Sequence, residues 1–312
     1  MERIHDITRI NREERSVVTV GTFDGVHLGH RAIFDYLIAR AKEANLLSTL
    51  VTFDPHPREI VYGESVPLLT TMEEKAAICE RIGIDRFVVV RFTETFSELS
   101  PESFIREVLV DRLGIQKIVV GHDHGFGKGR SGDDALLLSL SITHDFSVDV
   151  IPSVFLPEGK VSSSAIRKLI ANEGDVKSGA RMLGYYYGFE SRVIRGLGRG
   201  RIIGFPTANL QPDDPHKIIP AMGVYAVFVS VEGYSSRLDG MMNIGTRPTF
   251  EDTGRHIEVH ILDFDMDIYG RQLRLEFVDR IRSERMFDGV DALARQLNDD
   301  KRRCSAALRE QP

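Results

Sequence analysis

The chain has 312 residues, of which 42% are hydrophobic and 28% charged, the composition of a soluble globular protein with room for two domains. A formal net charge of −6 argues against a broad nucleic-acid-binding surface and confines basic residues to local phosphate sites. Met1 to Asp6 show no apolar signal core, and no apolar run approaches the roughly 20 residues a bilayer span needs, so a cytoplasmic protein without a membrane partner is expected.

The first half alternates short β-branched runs with amphipathic stretches. Ser16 to Val20 reads as a buried strand, and Arg31 to Ala44 as a helix with Ile33, Phe34, Leu37 and Ile38 at helical spacing. A strand follows over Leu47 to Phe53, a helix over Thr71 to Ile82, a strand over Phe87 to Val90 and a helix over Pro101 to Leu113. Ile118 to Val120 and Val148 to Ile151 complete the set. Such alternation predicts βαβ units and a Rossmann-like α/β domain, a parallel sheet with flanking helices whose ligands sit at the carboxyl ends of the strands.

Helical periodicity nearly vanishes after about residue 185. Strand-like segments over Tyr187 to Ile194, Val224 to Val231, Arg237 to Ile244, Ile257 to Phe264 and Gln272 to Ile281 predict an all-β antiparallel barrel. A terminal helix is expected over Val290 to Asn298, with Leu293 and Leu297 on one face. The boundary falls between Asn172 and Leu183-Gly184, giving domains 1–184 and 185–312. Cys79 and Cys304 lack metal-ligand spacing and suit a reducing compartment.

Two stretches carry chemistry. Gly21-Thr-Phe23-Asp24-Gly-Val-His27-Leu-Gly29-His30 lies between a predicted strand and a predicted helix, where free N–H groups and the helix dipole attract an anion. Two histidines three apart there can donate to phosphate oxygens and stabilise charge at a phosphorus under attack. By itself the pattern also suits a structural turn with solvated imidazoles. Val161-Ser-Ser163-Ser164-Ala-Ile-Arg167 opens another predicted helix with three hydroxyls and an arginine, a second phosphate clamp or an ordinary Ser cap. Paired, the two motifs resemble the nucleotidyltransferase superfamily.

The second stretch runs from Arg195 to Asn209. Gly196, Gly198, Gly200 and Gly204 interleave with Arg195, Arg199 and Arg201, a basic Gly-rich loop that suits a polyphosphate or a mobile surface segment. Pro206, Thr207 and Asn209 sharpen it, because a hydroxyl and an amide oxygen suit Mg²⁺ carried with ATP. Glu258 lies on a predicted strand and shares a face with His256 and His260, either as the carboxylate base a hydroxyl kinase uses or as an edge-strand surface residue. Two nucleotide-handling signatures on one chain point to a fused enzyme with two ATP-using steps.

Together these residues resemble the bacterial bifunctional riboflavin kinase/FAD synthetase family over nearly the whole chain. The likeness rests on Gly21 to His30, Thr52 to Pro57, Val161 to Arg167, Gly204 to Asn209, Gly223 to Ala226, Asn243 to Pro248, Glu258 to Phe264 and Ile268 to Gly270. It implies an N-terminal FMN adenylyltransferase and a C-terminal riboflavin kinase on a six-stranded barrel, with riboflavin, FMN, FAD and ATP as substrates or products and Mg²⁺ as cofactor. By resemblance, His27 and His30 meet the ATP phosphates, with Gly21, Phe23, Asp24, Gly29 and Asp123 lining that site. Ser163, Ser164 and Arg167 hold the triphosphate. Gly196, Gly200, Gly204 and Pro206 shape the second nucleotide loop, Thr207 and Asn209 bind Mg-ATP, and Glu258 deprotonates the ribityl hydroxyl.

The chain departs from the family in one segment. Where the family carries Gly-Asp/Glu-Asp/Asn-Phe-x-Phe-Gly, this chain has Gly121-His122-Asp123-His124-Gly125-Phe126-Gly127. Phe53, Phe126 and Tyr269 are candidates to stack on the flavin, by aromaticity alone. Competing readings are a kinase with impaired adenylylation and a non-catalytic flavin-binding protein. A cytidylyltransferase explains only the first motif. Small molecules are the expected partners, and a homo-oligomer is left open.

Overall fold

The computed structural model describes residues 1–7, 10, 14–122, 124–196, 200, 204–246 and 255–310. It divides into two compact units, Met1–Ser163 and Ser164–Pro312.

The first unit carries strands β1 (Glu2–Ile4), β2 (Ser16–Val20), β3 (Leu47–Asp54), β4 (Arg86–Arg91), β5 (Ile115–Gly121) and β6 (Ser147–Ile151). They pair in parallel in the order β1-β4-β3-β2-β5-β6. β2 therefore has β3 on one side and β5 on the other, and the order reverses there. The crevice beyond the carboxyl ends of β2 and β5 is the topological switch point, where open parallel sheets bind ligands. The helices are α1 (Leu28–Ala44), α2 (Pro57–Tyr62), α3 (Met72–Ile82), α4 (Glu94–Ser97), α5 (Pro101–Ser103) and α6 (Asp134–His144), and a short hairpin pairs β7 (Phe155–Leu156) with β8 (Gly159–Lys160).

The central strands β2, β3 and β4 are buried almost without interruption, on both faces, as helix-covered parallel strands are, and Val18, Val51, Val88, Val120 and Leu109 meet in one core. The helix expected over Pro101 to Leu113 is one turn, α5, followed by a π-helical stretch, Phe104–Val110. Its buried residues, Phe104, Ile105, Val108 and Leu109, still follow helical spacing. The sequence reading did not give β1, α2, α4, α6, β7 or β8. Most of these are short: β1 has only three residues, while α6 carries Leu136, Leu137 and Leu138 in succession, a run without amphipathic period.

α7 (Ser163–Arg167) starts at the boundary residue Ser163, and the second unit continues with a π-helical turn (Lys168–Glu173) and α8 (Val176–Leu183), which packs on β14. Strands β9 (Gly188–Ile194), β10 (Ala208–Pro212), β11 (Gly223–Val231), β12 (Leu238–Thr246), β13 (Arg255–Ile261) and β14 (Gln272–Arg282) close a barrel in the order β10-β13-β12-β11-β14-β9. Every pairing is antiparallel. β10 completes the closure and was not expected: Leu210 is its only buried residue and it ends at Pro212, so it has no strand-like alternation. β13 stops at Ile261, short of the expected Phe264.

The terminal helix α9 (Val290–Arg309) runs eleven residues beyond the expected Asn298. Its inward face is built from Leu297, Asp300, Cys304 and Leu308. Asp300 is fully buried and takes both oxygens to Arg282 of β14, at 2.9 and 3.0 Å from Nε, and one more bond from Gln296 at 2.7 Å. Removing one member of such a pair strands the other charge in the interior. Asp300→Ala is therefore expected to lower unfolding stability by about 3–5 kcal/mol, read by denaturant titration. An unchanged midpoint overturns the assignment of Asp300 as the anchor of α9.

Candidate functional site

The turn after β2 is held from several directions. Gly21 N–H donates to the Val51 carbonyl at 3.0 Å. Phe23 and Val26 take positive φ, 47° and 36°, which bulky residues adopt only when their surroundings enforce it. The enforcing contact is Asp24, only 2% exposed, whose carboxylate accepts from Leu69 N–H at 3.0 Å and from Thr70 N–H at 2.9 Å. Thr70 Oγ1 in turn accepts from Gly25 N–H at 3.0 Å. Asp24, expected to bind cofactor, thus clasps the turn to the segment leading into α3. Thr71 and Glu74 cap that helix reciprocally.

This clasp sets the histidines. His27 is the N-cap of α1: its Nδ1 accepts from His30 N–H at 3.3 Å, which leaves the proton of a neutral ring on Nε2. The His27 and His30 rings stack with centroids 3.5 Å apart. Gly29 permits the stack, since a Cβ there would stand 3.2 Å from the His27 ring. Phe23 meets His30 edge-on at 5.2 Å and lies beneath Gly21. Burial, then the neighbouring His27, then Lys75 push the His30 pKa well below the ordinary imidazole value. Its buried Nδ1 has no hydrogen-bond partner among the described residues. Two stacked imidazoles at a helix start, at the switch point of the sheet, can donate to a polyphosphate. Ser163 Oγ donates to the Asp24 carbonyl at 2.9 Å and so belongs to the same turn. Ser164 and Arg167 lie on α7 in the second unit.

The divergent segment follows β5. Asp123 lies outside the described residues. His124 stacks on Phe126 with centroids 5.6 Å apart and planes 7° off parallel, and its Nδ1 lies 3.2 Å from Asp134. The imidazole therefore makes the ring-on-ring contact that an aromatic residue would make. Phe126 continues a row of rings through Phe104, Phe96 and Phe92 to Phe53, with successive centroids 5.4 to 6.4 Å apart. Of these, sequence reading named only Phe53 and Phe126.

In the barrel, β10 and β13 pair Asn209 directly with Glu258. Thr207 Oγ1 donates to Glu258 Oε2 at 3.1 Å. The hydroxyl, amide and carboxylate singled out in the sequence thus converge on one spot. His260, on the same face of β13, contacts the Pro206 carbonyl through Nδ1 at 2.8 Å and meets Phe205 edge-on at 5.3 Å. Burial lowers the His260 pKa, and the Pro206 contact partly offsets that. A cavity of about 540 Å³ opens beside this loop, lined by Gly204, Phe205, His260, Asp263, Phe264 and Lys301, and not by Thr207, Asn209 or Glu258. Gly198, Arg199 and Arg201 lie outside the described residues. Phe205 N–H closes the loop on the Gly200 carbonyl at 2.9 Å. Tyr269 is half exposed with the Arg195 guanidinium above its ring.

Gly196 has a steric reason. A Cβ there would fall 2.0 Å from Asn209 Nδ2 and 2.4 Å from its Cγ. Gly196→Ala must push the Asn209 amide from its place beside Glu258. Misplacing a ligand group by about 1 Å costs on the order of 100-fold in rate, so chemistry at this site is expected to fall by that factor while the first unit keeps its activity. Assaying both reactions on the purified variant checks this, and an undiminished barrel reaction overturns it.

Comparison with known proteins gives a consistent picture. The FAD synthetase family model matches residues 9–165, and the riboflavin kinase model matches residues 183–308. A bifunctional riboflavin kinase/FMN adenylyltransferase of Listeria monocytogenes is 38% identical over 91% of this chain and 90% of its own. One of Pseudomonas fluorescens is 36% identical over 96% of each. A solved structure from Streptococcus pneumoniae, named a macrolide-efflux protein, superposes with a TM-score of 0.87 at 31% identity and covers 96% of this chain and 97% of its own. No helix among the described residues is long and apolar enough to cross a membrane. The chain belongs to the family of bifunctional riboflavin kinases/FMN adenylyltransferases, an FAD synthetase module followed by a riboflavin kinase module.

Proposed function

We propose that the chain makes FAD from riboflavin in two ATP-dependent steps, the kinase step on the barrel and the adenylyl step at the turn after β2, with domains at 1–184 and 185–312. The observation that carries this reading is the convergence of Thr207, Asn209 and Glu258 in one unit while His27 and His30 stack at the switch point of the other.

In the kinase step Glu258 takes the proton from the terminal ribityl hydroxyl as its oxygen attacks the γ-phosphorus, and ADP leaves. Thr207 orients Glu258 through their hydrogen bond. The oxygen donors Thr207 and Asn209 fit Mg²⁺, which keeps several waters and shares its shell with phosphates. When bound, Mg²⁺ neutralises charge on the transferred phosphoryl group. The Gly-rich stretch from Gly196 to Gly204 is assigned to the polyphosphate on its motif.

In the adenylyl step an oxygen of the FMN phosphate attacks the α-phosphorus, the bond to the β-phosphate breaks, and pyrophosphate leaves without a covalent enzyme intermediate. His27 donates from Nε2 and His30 stands beside it, so charge developing at the phosphorus meets oriented donors rather than reorganising water. Ser164 and Arg167 are assigned to the triphosphate on their motif. The row from Phe53 to Phe126 offers aromatic surface for the isoalloxazine. The free, buried thiols of Cys79 and Cys304 suit a reducing cytoplasm.

Chromatography of protein incubated with riboflavin, ATP and Mg²⁺ tests the reading. FMN followed by FAD is expected. FMN that accumulates without FAD places the defect at His124 and Gly125, and flavin bound without ATP consumption makes the protein a carrier.

A further inference from the structure

Lys75 has no role in the chemistry above, yet its position is unusual. It lies in the second turn of α3, only 6% exposed, where an apolar residue would be buried at no electrostatic cost. Its ammonium makes one hydrogen bond, 3.4 Å to Thr52 Oγ1 on β3, and forms no ion pair among the described residues. Two of its three N–H donors are thus unspent inside the protein. Thr52 Oγ1 donates onward to the Thr22 carbonyl at 3.3 Å. Thr22 precedes Phe23, whose ring meets His30 edge-on. The same helix begins at the segment that Asp24 grips. A closed circuit therefore runs from α3 through Lys75, Thr52 and Thr22 to the His30 ring, and back through Asp24 and Thr70 to α3.

We propose that Lys75 is a positioning residue of the adenylyl-transfer site, a buried ammonium behind the Thr22–Asp24 turn that braces the His27–His30 stack through Thr52 and Thr22 and supports the nucleotide polyphosphate without touching it. The proposal rests on the assignment of His27 and His30 to that step. The charged and titratable groups around Lys75 and His30 are Asp24 in the turn, Asp54 at the end of β3, Cys79 on α3, and His27 and Arg31 at the start of α1. Burial lowers the Lys75 pKa, and Asp24, Cys79 and Asp54 oppose that fall. Burial also pushes the Cys79 thiol up to about 12, so this neighbour stays uncharged. Lys75 in turn helps depress His30, after burial and His27. The sign follows. A His30 that gained a proton would set a cation against the His27 ring at 3.5 Å, with the Lys75 ammonium as a second charge nearby. Without Lys75 the His30 pKa rises, and protonation disrupts the stack at a higher pH.

The test is Lys75→Met, which keeps the length and burial of the stem and removes the charge. FMN adenylylation and riboflavin phosphorylation are followed across pH on the same protein. The expected result is a fall of about tenfold or more in kcat/KM for ATP in adenylylation, an acid limb displaced to higher pH, and an unchanged kinase reaction. An acid limb that stays in place, whatever the fall in rate, makes Lys75 structural and overturns the proposal. A second measurement needs no variant: in the wild-type protein without nucleotide, NMR titration of the imidazoles is expected to show His30 neutral well below pH 6.5. An ordinary titration of His30 also overturns it. His30→Asn run in parallel separates the two ideas, because a His30→Asn protein that still makes FAD removes the site assignment itself.

Discussion

Glu258→Gln is expected to stop FMN formation while leaving FMN adenylylation intact. The amide keeps the shape of the carboxylate and can still accept the Thr207 hydroxyl, which now lies 3.1 Å from Oε2. What it loses is basicity. General-base catalysis contributes about 10²–10⁴ in rate, so kcat for FMN formation is expected to fall by that factor with little change in KM, the signature of an interaction made in the transition state. The adenylyl step provides an internal control: fed FMN and ATP, the variant should make FAD at the wild-type rate. A Glu258→Gln protein with full kinase turnover removes Glu258 as the base and leaves Thr207 and Asn209 with a binding role alone.

The route to this site was partly legible in the sequence. Glu258 and His260 could be set on one face of a strand because side chains alternate with period two, and the barrel bears that out. Their partner strand was not legible. Ala208–Pro212 has one buried residue and reads locally as part of a ligand loop, so the direct pairing of Asn209 with Glu258 emerges only from the closed barrel. The parallel sheet was readable from β-branched runs, but its order was not, and the order puts His27 at the switch point. Asp24 illustrates a different limit. A carboxylate in a phosphate-type motif invites a ligand role, and the structure adds a structural one, with its oxygens accepting from Leu69 and Thr70, forty-five and forty-six positions away. Lys75 carried a local signal only in the capping box Thr71–Glu74, which announces where α3 begins and says nothing of which side chain it buries. Long-range burial of a polar group is a property of topology, which no local window of the sequence contains.

His27→Asn is expected to separate capping from catalysis in the adenylyl step. His27 does two jobs with two nitrogens: Nδ1 caps α1 by accepting from His30 N–H, and Nε2 carries the proton directed to the ligand. Asn is among the best N-cap residues, so its side-chain oxygen can take over the first job. Its side chain is shorter than imidazole and cannot reach as far as Nε2. The helix should therefore start where it does now, and thermal stability should stay near that of the wild type. Loss of one oriented donor to a developing oxyanion costs about 10²–10³ in kcat, so FAD formation from FMN is expected to fall by that factor while riboflavin phosphorylation is untouched. His27→Ala loses the cap as well, which adds a stability loss of about 1 kcal/mol and leaves a gap beside the His30 ring. The comparison is decisive because the two variants share the lost donor and differ in the cap. Equal losses of FAD formation, with a lower melting temperature in His27→Ala only, assign the rate effect to Nε2. A His27→Asn protein that makes FAD at the wild-type rate reduces His27 to a helix cap, and the donor to the phosphates must then be sought elsewhere in the turn.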